Sequence, residues 1–492
     1  MTRIALVPLD ERPVNTGLPA DVAAIAGVEL VQPPVALLPQ FRRPGDVAGI
    51  ARWLEREAAD ARTSSIVVSI DTLVHGGLVP ARISHDETLD VFARLDVLRR
   101  VRRNRADLAI TAVSLVTRAT DSYSNVEEPD YWATYGRDIH ALGGAVHREW
   151  ADGVPAVVSI PDETRHDFAE RRLRNHLVNL GVLDLHWTGV IDTLAITADD
   201  TAAYSAGSAE QEILRYWRIL RPSPALEVYP GADETAAVLV ARAIVDQSGV
   251  TPTVRILSDS AFGLARIPPY ENEPLMRSIE RQIRATGASL VQDISDLVLV
   301  VHTPDPNRGD LFSSKLLNHD PEAVAATVDN VRVALDSGGQ VALADVRYSN
   351  GGDPILVEAL AEAGLLFELS AYSGWNTAGN ALGSALALGV AHASATLLGT
   401  LDQDAAQRAL ARRILDDYAW QARHRARLEP LLFHGKIEPI EAGLAREAEP
   451  VIGAALQATL RELNPLNTLE IKRLSLPWNR SFEVDIEFTG HS

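Results

Sequence analysis

The chain has 492 residues, 46% of them apolar, with 46 Lys+Arg against 66 Asp+Glu for a formal charge of −20, and it contains no cysteine. That length and apolar share are enough for two or three packed cores, while the absence of cysteine excludes a disulfide framework, a thiolate metal site and a thiol nucleophile. The acidic balance argues against a nucleic-acid partner, which needs a cationic surface to displace counterions from phosphates.

Residues 1–10 carry no charged leader, long apolar run or small-residue cleavage site, so a cytoplasmic location is expected. From there the pattern repeats: a short β-branched run, a stop rich in Gly, Asp or Pro, then a helical stretch. Ile4–Leu9 stops at Asp10-Glu11-Arg12-Pro13, Ile66–Ile70 at Asp71, and Leu108–Val116 at Thr117-Arg118. Ala156–Ile160 stops at Pro161-Asp162-Glu163, Gly189–Thr197 at Asp199-Asp200, and Leu226–Tyr229 at the turn running to Asp233-Glu234. Continuous apolar runs of this length suit strands covered on both faces. The intervening segments 46–62 and 89–105 have helical apolar spacing, and Ser208-Ala-Glu-Gln211 reads as a capping box.

A second series follows: Val254–Leu257 before Ser258-Asp259, Leu297–Val301 before His302-Thr303, Val341–Ala344 before Asp345, and Leu365–Ala371 before Tyr372. The segment 381–398 is apolar but interrupted by Gly383, Ser384, Gly389, His392 and Ser394, which predicts a buried helix and no membrane partner. Residues 403–427 and 438–461 read as helices, closed by a β-like tail over 470–488. The expected fold class is therefore α/β. It comprises a (β/α) barrel-like or doubly wound domain over 1–235, a smaller parallel α/β domain over 236–400, and a mostly helical region over 401–492.

In parallel α/β folds the loops beyond the carboxyl ends of the strands form the active face, and here those loops are repeatedly acidic. A single carboxylate in such a position often only caps the next helix. Asp199-Asp200 is the sharpest pair, because adjacent carboxylates cannot both be the cap, and each raises the other's cost of ionising. That division suits acid/base cleavage of a glycosidic bond. In glycosidases that use the substrate's 2-acetamido group, adjacent carboxylates at a strand end share this work. The segment from Tyr372 through Trp375 and Asn376 to Asn380 follows a strand and offers a ring face with amide donors and acceptors. Arg12 and Arg118, at strand ends, can hold a carboxylate or hydroxyl. The Gly-rich stretch from Asp71 through His75 to Gly77 lacks a phosphate-loop spacing. His75, His302 and His392 could join strand-end Asp residues in a metal site, but they have no H-E-x-x-H or H-x-H spacing. The arginines between 165 and 174 read as a solvated helix face.

Four segments, Leu9-Asp-Glu-Arg-Pro-Val-Asn15, Ser69-Ile-Asp-Thr-Leu73, Tyr229-Pro-Gly-Ala-Asp-Glu234 and Gly374-Trp-Asn-Thr-Ala-Gly-Asn380, resemble the signatures of bacterial domain-of-unknown-function family 4127 across nearly the whole chain. The resemblance implies one shared site and no particular activity. A separate, weaker analogy joins the adjacent carboxylates to N-acetylhexosaminidases, whose other motifs are absent.

The expectation is a glycoside hydrolase acting on a small glycan or glycoside, N-acetylhexosaminides included. Asp199 and Asp200 are its catalytic pair; Asp10, Arg12, Asn15, Asp71, Arg118, Asp233, Glu234, Trp375, Asn376 and Asn380 line the sugar site. No cofactor and no metal ligand are assigned, and a homo-oligomer is left open. A metal-dependent hydrolase or lyase with Asp and His ligands, and a non-catalytic sugar- or metabolite-binding protein, are the alternatives.

Overall fold

A computed structural model of the chain describes residues 3–312, 317, 319–433 and 439–489. It divides into two compact units: unit one comprises Met1–Glu11, Val28–Ala243 and Tyr270–Glu273, and unit two comprises Arg12–Gly27, Ile244–Pro269 and Pro274–Ser492. This differs from the three-part division of the sequence at 235 and 400. The physical reason is a shared core: Val300 and Leu343 of the second sheet cluster with Trp420, Ile452, Leu456 and Ile486 from the carboxyl-terminal region. Residues 12–27 belong to unit two although they follow the first strand directly.

Unit one is built on a six-stranded sheet of β1 (Arg3–Val7), β2 (Glu29–Val31), β3 (Thr63–Ser69), β4 (Ala109–Val116), β5 (Thr193–Ala198) and β6 (Leu226–Pro230). The strands are parallel in the order β2-β1-β3-β4-β5-β6. Of the two arrangements left open by the sequence, this linear order matches the doubly wound one, with β2 and β6 at its ends. β3 to β6 are apolar and buried along nearly their whole length because helices such as Val47–Ala59 and Asp162–Trp187 cover the sheet. Each fully buried Ile, Leu or Val there contributes about 1.5–3 kcal/mol.

Unit two carries β7 (Thr253–Ser258), β8 (Ser289–Leu290), β9 (Leu297–His302), β10 (Gln340–Asp345) and β11 (Ala371–Ser373), parallel in the order β11-β10-β9-β7-β8. Read from its other edge, this is the same winding as the first five strands of unit one. An antiparallel pair, β12 (Ile471–Ser475) and β13 (Asp485–Phe488), closes the unit. The helix Ala378–Leu398 is long and apolar enough to cross a membrane by length and composition, and most of it is buried inside unit two, as its interrupted pattern predicts.

Several local expectations are corrected. Residues 153–160 form no strand, only irregular backbone leading into the helix Asp162–Trp187. The stretch 89–105 is two helices, Thr88–Ala93 and Asp96–Asn104. The helix expected to open at Ser208 starts at Ala206, because Ser205 is the cap and accepts from the Ser208 amide. The helix read over 403–427 changes to eleven residues of π-helix, Ile414–His424, between α-helical flanks. The last long helix is Ala442–Leu463; its expected start, Glu438, lies outside the described residues.

Candidate functional site

The site in unit one grows from the carboxyl ends of β3, β4 and β5. β5 ends at Ala198, paired with Val116 of β4, and the Asp199 amide still bonds the Val116 carbonyl at 3.1 Å. The chain then turns through Asp200 at φ 35°, a left-handed conformation that a non-glycine residue adopts only at a cost. The turn is pinned one residue later, where the Thr201 amide donates to the Tyr270 carbonyl at 2.7 Å, and Tyr270 itself sits at φ 65°. The residue after the strained Asp200 is thus tied to a second left-handed residue, Tyr270.

Two arginines organise the carboxylates. Arg82 reaches Asp199 Oδ2 at 2.5 Å, Glu127 at 3.0 Å and Glu128 at 3.6 Å. Arg118, just beyond β4, reaches Glu127 at 2.9 Å, Asp200 at 3.0 Å and Glu128 at 3.3 Å. Two guanidinium groups therefore face four carboxylates, and four anions exceed what two cations neutralise in a partly dry space. The excess appears as raised proton affinity. Burial, reinforced by the charge of Asp199, lifts Asp200 to about 6 against the pull of Arg118 and Arg82; its side chain keeps 27% exposure, so solvent moderates the effect. Burial also raises Glu128. Burial alone would lower Arg118, but Glu127, Asp199, Asp200 and Glu128 outweigh it and hold the guanidinium firmly charged.

Asp71 joins this group from β3. It is buried, its Oδ2 accepts from the Leu115 amide at 2.9 Å, and burial lifts it to about 7 despite that bond and Arg82. Arg82 is delivered by a tight turn: Gly76 (φ 82°) and Gly77 (φ 131°) separate the helix Ile70–His75 from Leu78–Ile83, and a Cβ on either would press on Pro44 or Pro39. The glycines after His75 therefore serve the turn. Asp10 is buried beyond β1; it and Asp71 each lie three residues past the paired Val7 and Val68. These neighbouring strands are where the winding reverses, the usual ligand crevice of an open parallel sheet. Asp233 and Glu234 follow β6, which pairs with β5. Glu234 is fully buried, accepts from the Ala232 amide at 2.9 Å, and is pushed up to about 8 by burial.

The remaining candidates lie in unit two and are described there alone. Arg12 stacks over the Trp478 ring at 4.4 Å and faces Glu483 at 3.7 Å. Asn15 and Asn380 are buried in the helices Pro13–Ile25 and Ala378–Leu398. Asn376 is left-handed (φ 62°), its carbonyl accepting from the Asn350 amide at 2.7 Å. Trp375 is 1% exposed and packs edge-on against Phe482, the placement of a core ring. Its loop is held by Asp417 of the π-helix, which accepts from the Gly374 amide at 2.8 Å and Ser373 Oγ at 2.9 Å.

The structure thus brings Asp71, Arg118, Asp199 and Asp200 together in unit one and leaves Arg12, Asn15, Trp375, Asn376 and Asn380 in unit two. Sequence reasoning missed Arg82 and Glu127. Arg82 had a usable signal, a lone charge in the apolar helix Leu78–Ile83. The helix arginines read as solvated are corrected: Arg171, Arg172 and Arg174 are buried. Arg172 grips Glu210 with two 2.7 Å bonds and donates to the Thr117 carbonyl at 3.0 Å, steadying the loop that carries Arg118.

For metal chemistry, no grouping of three His, Asp or Glu side chains fit to hold an ion occurs among the described residues. His302 spends its ring on Thr327 Oγ1 (2.8 Å) and Asp353 (3.2 Å), and His392 bonds Gln340 at 2.9 Å.

Among known families, the one described as "Protein of unknown function (DUF4127)" matches residues 4–487. The chain belongs to this family. No curated protein and no solved structure matches it. The family description carries no activity, so chemistry must be argued from the cluster itself.

Proposed function

We propose that the chain is a glycoside hydrolase acting on a small glycan or glycoside, N-acetylhexosaminides being the first substrates to try. One observation carries the reading: Asp199 and Asp200, adjacent on a strained turn at a strand end, are each clamped by a different arginine of one network. Asp200, with its raised proton affinity, is the general acid. As the glycosidic C–O bond breaks, its proton passes to the departing oxygen. Water then supplies hydroxide to the anomeric carbon and returns a proton to Asp200. Asp199, fixed by Arg82, orients the substrate or stabilises the positive charge that develops on the ring.

The test is a screen of chromogenic glycosides followed by Asp200→Asn. Removing the acid is expected to lower turnover about 10²–10⁴-fold with the fold intact by circular dichroism; wild-type hydrolysis by the variant overturns the assignment. Because the acid must hold its proton, kcat/KM is expected to fall as pH rises past about 6. Glycoside binding without cleavage would favour the non-catalytic alternative. The same reading assigns the protein to the cytoplasm with a small carbohydrate as partner, and the charge of −20 supports the exclusion of nucleic acid.

A further inference from the structure

Three adjoining spaces in unit one share Arg171 as a wall. The narrowest, about 20 Å³, is bounded by Arg82, Arg118 and Glu128 of the carboxylate network together with Pro129 and Tyr131. The next, about 500 Å³, shares Pro129, Tyr131 and Arg171 with it, and a third of about 370 Å³ shares His85, Asp167 and Arg171 with the second. The middle space has the size of a small-molecule site.

Its lining decides what it can hold. Arg171 is buried and already committed: it bonds Asp167 at 2.7 and 3.0 Å, the Ser84 carbonyl, and His85 at 3.0 Å. Arg42 spends its guanidinium on the carbonyls of Asn125, Val126 and Glu128 at 2.7–3.1 Å. Against these two cations stand three carboxylates, Asp130, Glu163 and Asp167. An anion would find no net attraction there. A neutral polyhydroxyl ring would, since Thr164 and His85 offer donors beside carboxylate acceptors, and Tyr131, its hydroxyl buried beside Asp167, adds a ring face.

We propose that this middle cavity is a second sugar subsite, so that the substrate spans at least two rings, one at the open edge of the carboxylate network, where Asp200 keeps 27% exposure, and one against Tyr131, Glu163 and Thr164. The space of about 20 Å³ is itself too small for a ring. The inference rests on the glycosidase reading and deepens it to an oligosaccharide substrate.

The experiment compares N,N′-diacetylchitobiose with 4-nitrophenyl N-acetyl-β-glucosaminide as substrates of the full chain, in wild type and in Glu163→Gln and Tyr131→Phe. Both substitutions keep side-chain size, and Glu163 is exposed on the first turn of its helix, so folding is preserved. The ratio of kcat/KM for the disaccharide to that for the aryl glycoside is expected to fall about tenfold in Glu163→Gln, the weight of one good polar contact. An unchanged ratio in both variants overturns the subsite. If the wild type cleaves neither compound, the catalytic reading fails by itself, and calorimetric titration with the disaccharide judges the cavity: binding weakened by Glu163→Gln sustains it, and no binding overturns it. Inorganic phosphate binding in place of the disaccharide would make the cavity an anion site and overturn the proposal as well.

Discussion

The two units wind their sheets alike and both end their strands in carboxylates, yet they spend those carboxylates differently. In unit two, Asp259 accepts from the Thr303 amide at 2.7 Å and its hydroxyl at 2.9 Å, Asp345 from the Asp353 amide at 2.7 Å, and Asp353 from the Ile355 amide at 3.0 Å. Asp259 and Asp345 each tie one loop to another, and Asp353 caps the helix Pro354–Glu362. In unit one, Asp199 and Asp200 are held by the long side chains of Arg82 and Arg118, beside a strained turn. Proton affinity does not separate the units: burial raises Asp345 to about 6 and Asp416 to about 7, as far as Asp200 or Asp71. Among the strand-end carboxylates the difference lies in the partner; unit two also has an arginine-held pair, Asp416 and Asp417 on Arg413 at 3.0 and 3.2 Å, but it sits inside the π-helix and not at a strand end. Backbone amides fix a loop, whereas side-chain cations can yield to a substrate.

The largest effect that sharpens this contrast is expected from Arg82→Met. It strips the partner from Asp199 and half the compensation from Glu127 and Glu128, leaving buried charge unpaired. A loss of about 3–5 kcal/mol in unfolding free energy is expected near neutral pH, with glycoside turnover abolished. Denaturant titration checks the first. Stability within 1 kcal/mol of wild type, an order-of-magnitude limit taken from exposed ion pairs, would show that the cluster is solvated surface.

Next comes the pH dependence of stability, which should look the same in both units. Asp71 and Asp345 have folded proton affinities above their unfolded values, so the native state holds more protons than the unfolded one. Stability is therefore full below about pH 4, falls as pH rises through the interval up to about 7 for Asp71 and about 6 for Asp345, and is flat beyond. Asp71→Asn and Asp345→Asn each should flatten this decline, by at most on the order of 3–4 kcal/mol. Thermal melts between pH 4 and pH 8 measure it. A flattening confined to one unit would mean that buried acids in the two units are not equivalent after all.

Much of this was legible in the sequence, for physical reasons that vary by element. Strands β1, β3, β4 and β5 announce themselves because burial on both faces forces continuous apolar runs. Asp71, Arg118, Asp199 and Asp200 follow from the rule that strand-end loops converge. Residues 156–160 misled because Val157, Val158 and Ile160 copy a strand's composition without a neighbouring strand to pair with. Arg82 and Glu127 escaped because a salt-bridge network is a three-dimensional fact, assembled from helix, loop and strand end. The assignment of residues 12–27 to unit two escaped likewise: local pattern marks the helix Pro13–Ile25 but not the core it joins.

The smallest of these effects is also the sharpest control. Asp259→Ala removes two hydrogen bonds to Thr303 from a carboxylate whose side chain is 2% exposed, at the reversal point of the second sheet. The Thr303 amide and hydroxyl lose their acceptor in a dry setting, which should cost about 1–3 kcal/mol. If unit-two carboxylates only hold loops, turnover per folded molecule stays within about twofold of wild type, a change of under 1 kcal/mol in barrier. A collapse of turnover with stability unchanged would reverse the division of labour between the units: the second sheet's reversal point would then be the reacting crevice, and the arginine-held acids of the first would be its scaffold.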